Sequence, residues 1–81
     1  MVQVKLSGSF KLAVGGRDEI EVEAENIHQL LTRLGQDHPK LKLMLDRGVA
    51  VAIDGQIYRD DRFRAIPPGS EVFILPRLAG G

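Results

Sequence analysis

The fold of this 81-residue chain is most clearly predicted by Val49-Ala50-Val51-Ala52-Ile53-Asp54-Gly55, a segment just beyond its midpoint. Five consecutive apolar residues predict a strand that is covered on both faces. Asp54-Gly55 is a strong turn signal, so the chain should reverse direction there. Ile57-Tyr58 follows with the composition of a short return strand.

Three other segments also predict strands. Residues 2–6 alternate apolar side chains with Gln3 and Lys5, as a half-buried strand does. Residues 19–25 alternate apolar side chains with four glutamates, which predicts a strand with one acidic, solvated face. Residues 72–75 are apolar, have strong β propensity and should form the last strand.

The link between the first two strands is short and favours an antiparallel hairpin. It contains Gly8, Gly15 and Gly16, and these glycines predict irregular structure. Three apolar residues within it are expected to hold it to the core, namely Phe10, Leu12 and Val14.

The period changes to that of a helix at Asn26, a preferred N-cap residue, with Gln29 at the position of a capping-box partner. The apolar residues follow the i, i+3, i+4, i+7 pattern of an amphipathic helix, and we expect them to be core residues: Ile27, Leu30, Leu31 and Leu34. The helix either ends at Gly35 or continues towards His38, before Pro39. A further short helical turn is expected where the leucines cluster, at residues 41–45.

The order of elements is therefore β-β-α-β-(β)-β. One main helix that can cover one face of a mixed sheet of four to five strands predicts an α+β domain. The hydrophobic fraction, 43%, suffices for a core, and a chain of this size buries roughly 60–65% of its unfolded surface.

Composition excludes several classes of function. The chain has no cysteine, so it has no disulfide framework, cysteine-ligated metal site or cysteine nucleophile. Eleven basic and eleven acidic residues give zero formal charge, which argues against nucleic-acid binding.

No apolar run approaches the ~20 residues that span a bilayer. Met1 leads directly into the first strand without a secretory pattern, so we expect a cytoplasmic location and no membrane partner.

The end of the chain, Leu78-Ala79-Gly80-Gly81, predicts the functional site. Pro76 cannot donate a hydrogen bond to a sheet, so pairing should weaken there and release residues 76–81. Six residues can extend by roughly 20 Å. A carboxylate that follows two glycines can enter a narrow slot in another protein. A frayed terminus has the same composition, so the tail alone leaves both interpretations open.

Four motifs, in this order, carry a resemblance to a known family: residues 51–55, residues 68–72 (Pro68-Gly69-Ser70-Glu71-Val72), Leu75-Pro76 and Gly80-Gly81. The chain resembles the MoaD/ThiS family of ubiquitin-like sulfur-carrier proteins over essentially its whole length, and most of all the small subunit of molybdopterin synthase. The resemblance implies a ubiquitin-like β-grasp domain at residues 1–75 and a flexible, extended tail at residues 76–81.

Two residues depart from the pattern of that family. Ser70 stands where aspartate is common, but it too can serve a turn. Arg77 occupies a tail position that is often apolar or proline, and this bears on the identity of the partner more than on the fold.

The resemblance also implies how the tail is used. An E1-like adenylating enzyme would use ATP and magnesium to convert the Gly81 carboxylate to an acyl-adenylate, and a sulfur donor would then replace AMP to leave a thiocarboxylate. Gly80 and Ala79 would give access to the slot, while Leu78 and Arg77 would contact the partner. The chain itself is expected to bind no cofactor or metal and to have no catalytic centre of its own.

Several roles remain open. The leading one is sulfur donation to the large subunit of molybdopterin synthase, which the additional helical segment from Pro39 to Asp46 favours by analogy. Other sulfur carriers serve thiamine, cysteine or tRNA thiolation. A protein modifier joined to lysines through Gly81, or an adaptor whose tail has no chemistry, would need the same fold.

Other candidate residues predict little chemistry. His28 and His38 are ten residues apart, which is no recognised metal spacing, and we expect them to be solvated or structural. Asp60-Asp61 is a pair of adjacent acids, and neighbours in sequence need not converge, so a loop role is expected.

Overall fold

A computed structural model describes residues 2–59 and 61–76. The strands are β1 (Val2–Lys5), β2 (Glu19–Val22), β3 (Val49–Ile53), β4 (Gln56–Tyr58) and β5 (Glu71–Pro76). The helices are α1 (Gly8–Ala13), α2 (Ile27–Asp37) and α3 (Pro39–Asp46). None of the helices among these residues has the length and apolar character that crossing a bilayer requires.

The five strands form one mixed sheet in the order β2-β1-β5-β3-β4. β1 and β2 form the predicted antiparallel hairpin, and β3 and β4 form a second one. β5 lies in the centre, parallel to β1 and antiparallel to β3. This is the ubiquitin-like β-grasp arrangement, and the predicted α+β fold is confirmed.

One hydrophobic core lies between the helices and one face of the sheet. Its largest fully buried side chains come from three strands and two helices: Val2, Val4, Leu30, Leu34, Leu41, Val51, Val72 and Ile74. All five residues of β3 are buried, as predicted. Ala50 and Ala52 nevertheless lie outside the core cluster. They are buried because they are small and lie opposite larger side chains on the neighbouring strands, Leu75, Phe73 and Ile57.

The main helix begins as predicted but continues past Gly35 to Asp37. The side-chain oxygen of Asn26 accepts a hydrogen bond from the Gln29 amide at 2.8 Å, which is the expected N-cap. The Gln29 side chain accepts from the Glu25 amide at 2.9 Å rather than from that of Asn26. The first two amides of α2 donate to carbonyl oxygens of a later loop. The Ile27 amide donates to Arg64, and the His28 amide donates to Arg62.

Three predictions are wrong, namely those for Leu31, for the link after β1 and for Leu12. Leu31 is only partly buried, because Ile27, Leu30 and Leu34 fill the face of α2 that points to the sheet. The link after β1 contains the six-residue helix α1 rather than irregular structure. Phe10 and Val14 are buried beneath it, but Leu12 is 76% exposed and does not hold the link to the core. Tertiary burial of Phe10 stabilises a helix too short to be stable by itself.

Candidate functional site

The site predicted from the sequence lies at the end of β5. The described part of this strand continues through Pro76, whose Cα pairs with that of Val49 on β3. The tail was predicted to begin at Pro76, but this residue is the last of β5. The predictions for Arg77, Leu78, Ala79, Gly80 and Gly81 lie outside the described residues. The structure shows instead how the strand that leads into this segment is held.

β5 is held along both of its sides. β1 pairs with its first half and β3 with nearly its whole length. At its start, Glu71 is hydrogen-bonded to Asp54 in the β3–β4 turn. Ser70, just before it, is buried, and its hydroxyl donates to the carbonyl oxygen of Pro67 at 2.6 Å, which confirms the turn role predicted for serine. The strand that precedes residues 77–81 in the chain is thus a central strand of the sheet, held on both sides and at its start.

The face of the sheet that points away from the core carries an apolar strip. Alternation along each strand places on this face the side chains of Phe73 and Leu75 of β5, Ala50 and Ala52 of β3, and Ile57 of β4. Phe73 and Leu75 are partly exposed, and Ile57 is 54% exposed. We call these five residues the apolar strip.

The same face is polar towards β2. Gln3 and Lys5 of β1 lie beside Glu71 and Phe73, and Glu21 and Glu19 lie beyond them on the edge strand. The ammonium group of Lys5 lies 3.1 Å from a carboxylate oxygen of Glu71 and 5.5 Å from the centre of the Phe73 ring. The face therefore changes from apolar to acidic across β1.

Among the residues that the structure describes, the predicted histidines and Asp61 belong to no metal-binding group. His28 lies at the start of α2, where its ring is 5.9 Å from that of the exposed Phe63. His38 lies between α2 and α3. Asp61 pairs with Arg64 at 3.0 Å, in agreement with a loop role, and Asp60 lies outside the described residues. Within residues 2–59 and 61–76, no group of three or more metal-ligating side chains comes together.

The apolar strip was not predicted as part of the site from the sequence. The only indication was the alternation along β5, which places Phe73 and Leu75 on one face and Val72 and Ile74 on the other. Because all four residues are apolar, the sequence reads as a strand buried on both faces. The neighbouring strands show that one of those faces remains partly open.

Comparison with known proteins identifies the family. Residues 4–81 match the ThiS family, and this range includes the end of the chain with its two glycines. The chain belongs to the ThiS family. This confirms the family predicted from the sequence, the ubiquitin-like sulfur carriers and modifiers of the MoaD/ThiS type. No curated protein gives a significant match to the ThiS-family chain.

Solved structures share the fold of this ThiS-family protein at low sequence identity. Small archaeal modifier protein 1 from Methanosarcina acetivorans matches with a TM-score of 0.82 and 23% identity, over 99% of this chain and 95% of that chain. A chain of the BexX/CysO complex from Amycolatopsis orientalis matches with a TM-score of 0.79 and 19% identity, over 100% of both chains.

A third structure similar to this ThiS-family protein is the complex of subunits 1 and 2 of the molybdopterin-converting factor from Helicobacter pylori. It has a TM-score of 0.70 and 24% identity, over 99% of this chain and 97% of that chain. Two of these three structures are thus complexes with a second protein. At these identities, the similarity establishes the fold.

Proposed function

We propose that this protein is a sulfur carrier whose terminal Gly81 carboxylate is adenylated and then converted to a thiocarboxylate. The observation that carries the proposal is the family match, which extends to Gly81. The central position of β5 supports it, since this strand connects the folded domain directly to the segment that would react. The proposal treats residues 77–81, which follow β5 in the chain, as a tail that a partner enzyme receives.

The chemistry follows from the weakness of a carboxylate as an electrophile. A chain-terminal carboxyl group, with an ordinary pKa of about 3.3–3.7, is ionised at neutral pH. Its oxygen attacks the α-phosphate of ATP, and pyrophosphate leaves. Sulfur at the oxidation level of sulfide then attacks the acyl carbon, the bond to the AMP oxygen breaks, and a thiocarboxylate remains on Gly81.

The partner enzyme supplies ATP, magnesium and the catalytic groups in this scheme, and the carrier supplies the substrate. Gly80 and Ala79 keep the end of the tail narrow enough to reach the reacting phosphate. Leu78 would fill an apolar pocket at the entrance of the slot, and Arg77 would contact an acidic or carbonyl-rich rim. In this proposal the chain has no catalytic centre of its own and works in the cytoplasm, where it meets an E1-like adenylating enzyme.

The apolar strip provides the rest of the docking surface. A tail alone loses much of its binding energy to ordering, so a folded surface should bind together with it. Phe73 and Leu75 belong to β5, the strand from which the tail continues, so the strip and the tail can contact one partner at the same time. The strip also presents aromatic and aliphatic side chains, which are typical of interface cores.

For the pathway, we propose molybdopterin synthesis, with the large subunit of molybdopterin synthase as the acceptor of sulfur. The eight-residue helix α3 supports it, since the predicted segment from Pro39 to Asp46 favours this branch by analogy. The similarity to the complex from Helicobacter pylori is consistent with it. The similarity to a CysO-containing complex supports a second sulfur-transfer pathway, such as cysteine, thiamine or tRNA thiolation.

The competing function is protein modification through Gly81, which the similarity to a small archaeal modifier protein supports. The intact mass of the protein from its native host separates the possibilities. Replacement of one oxygen by sulfur at Gly81 supports a carrier, and lysine-linked adducts of higher mass support a modifier. A protein with neither change would contradict both and leave an adaptor. A variant that lacks Gly80 and Gly81, expressed in the same host, is the control.

A further inference from the structure

The open face of the sheet is asymmetric. The apolar strip occupies the β5-β3-β4 side and ends with the uncharged Ile57 at the β4 edge. At the β2 edge, the face ends with Glu19 and Glu21, both exposed. A partner that covers this face therefore meets apolar side chains on one side and carboxylates on the other.

Lys5 does not neutralise these two carboxylates. It is the one cation among the described residues of this face, and its Cα lies directly opposite that of Glu19. Its ammonium group is nevertheless bound to Glu71 at 3.1 Å and lies over the Phe73 ring. Among the described residues, neither Glu19 nor Glu21 forms an ion pair. Glu19 and Glu21 are two residues apart on one strand, so their side chains lie on the same face and their Cα atoms are about 7 Å apart.

Charged residues on an edge strand also have a purely structural use. They prevent the edge from pairing with another chain, and lysine serves this purpose as well as glutamate does. The protective role therefore depends on the presence of charge and not on its sign. A role in recognition depends on the sign, and charge reversal distinguishes the two.

We propose that the activating enzyme docks on this face with an apolar patch that is bordered, on the β2 side only, by lysine or arginine side chains. This inference rests on the proposed function and specifies the chemistry of the partner's surface. Opposite charges beside an apolar contact accelerate encounter. They also set the orientation, because in the reversed arrangement Glu19 and Glu21 lose hydration against apolar atoms without gaining a partner.

The test compares Glu21→Lys with Asp37→Lys. Both change the net charge equally at exposed positions, but Asp37 ends α2, in the helical layer on the other side of the sheet. Stopped-flow measurement would give the association rate with the purified E1-like adenylating enzyme of the same organism. Thermal unfolding would test whether both variants fold. If Glu21→Lys does not fold, Glu21→Gln, a neutral variant of similar shape, takes its place.

At about 50 mM salt, Glu21→Lys should associate at least about fivefold more slowly than the wild type, and Asp37→Lys within about twofold. The difference should largely disappear at about 500 mM salt, where exposed charges are screened. Equal rates for the two variants, or faster association of Glu21→Lys, would overturn the inference alone. Absence of ATP–pyrophosphate exchange with the wild type would instead overturn the proposed function, and the inference with it.

Discussion

Asp54 and Glu71, seventeen residues apart, exchange two hydrogen bonds. The Asp54 amide donates to the Glu71 carbonyl oxygen at 2.9 Å, and the Glu71 amide donates to the Asp54 carboxylate at 2.9 Å. Asp54 has a φ of +49° and Gly55 a φ of +89°, as the tight turn of the β3–β4 hairpin requires. Two motifs of the family resemblance thus meet in space and fix the start of β5.

The first prediction concerns this contact. Asp54→Ala removes the acceptor and places a β-carbon in a left-handed conformation, so we expect the free energy of unfolding to fall by about 1–2 kcal/mol. Asp54→Asn keeps an acceptor and tolerates that conformation, so it should stay within about 0.5 kcal/mol of the wild type. Chemical denaturation measures both, and equal stability of the Ala and Asn variants would show that the contact contributes nothing.

The second prediction compares two neighbouring leucines of α2. Leu34 is fully buried, so Leu34→Ala should lower the free energy of unfolding by about 2–5 kcal/mol. Leu31 is only partly buried, so Leu31→Ala should cost about 1 kcal/mol. Denaturant titration of the two variants gives the order. A larger loss from Leu31→Ala would mean that the helix is rotated relative to the sheet.

The third prediction separates folding from activation. The described core cluster extends from Val2 to Ile74, so deletion of Gly80 and Gly81 should leave the melting temperature almost unchanged. ATP–pyrophosphate exchange with the adenylating enzyme should nevertheless be lost, because the reacting carboxylate moves two residues inward. Gly80→Val keeps the carboxylate in place but adds a β-branched side chain in the slot, and it should also be inactive. Full activity of either variant contradicts the role assigned to the glycines.

The fourth prediction concerns the two larger residues of the tail. Leu78→Ala removes an apolar contact worth about 1.5–3 kcal/mol when fully buried, whereas an exposed ion pair of Arg77 contributes only about 0–1 kcal/mol. Leu78→Ala should therefore weaken partner binding more than Arg77→Ala does at physiological salt. Titration calorimetry measures the two affinities, and wild-type affinity for Leu78→Ala would remove this residue from the site.

The fifth prediction tests the apolar strip with two exposed residues. Ile57 lies on the strip and is 54% exposed, while Leu43 lies on α3 and is 70% exposed. Ile57→Thr keeps a β-branched residue in β4, and Leu43→Gln keeps a good helix former in α3. We expect Ile57→Thr to reduce affinity for the adenylating enzyme by about tenfold, since burial of such a side chain contributes 1.5 kcal/mol or more. An equal effect of Leu43→Gln would place the interface elsewhere.

Much of the local structure was predictable because side-chain periodicity reports which face of an element is buried. The alternation of residues 2–6 and 19–25 predicted β1 and β2, although β2 ends at Val22. Asn26 and Pro39 lie at the predicted boundaries of helices. The helix α1 was not predictable in this way, because Gly8, Gly15 and Gly16 dominate the local signal. Its conformation depends on burial of Phe10 in a core that includes strands and helices distant in sequence.

The family, the strands, the main helix and the residues at which chemistry is proposed follow from the sequence alone, since they depend on motifs and local patterns. The two hairpins were predictable in the same way, but the position of β5 in the sheet was not. Periodicity cannot show that β5 inserts between β1 and β3, because pairing depends on long-range hydrogen bonds. That insertion places Phe73 beside Lys5 and Ala52, and so creates a single face, apolar on one side and acidic on the other, from residues far apart in the chain.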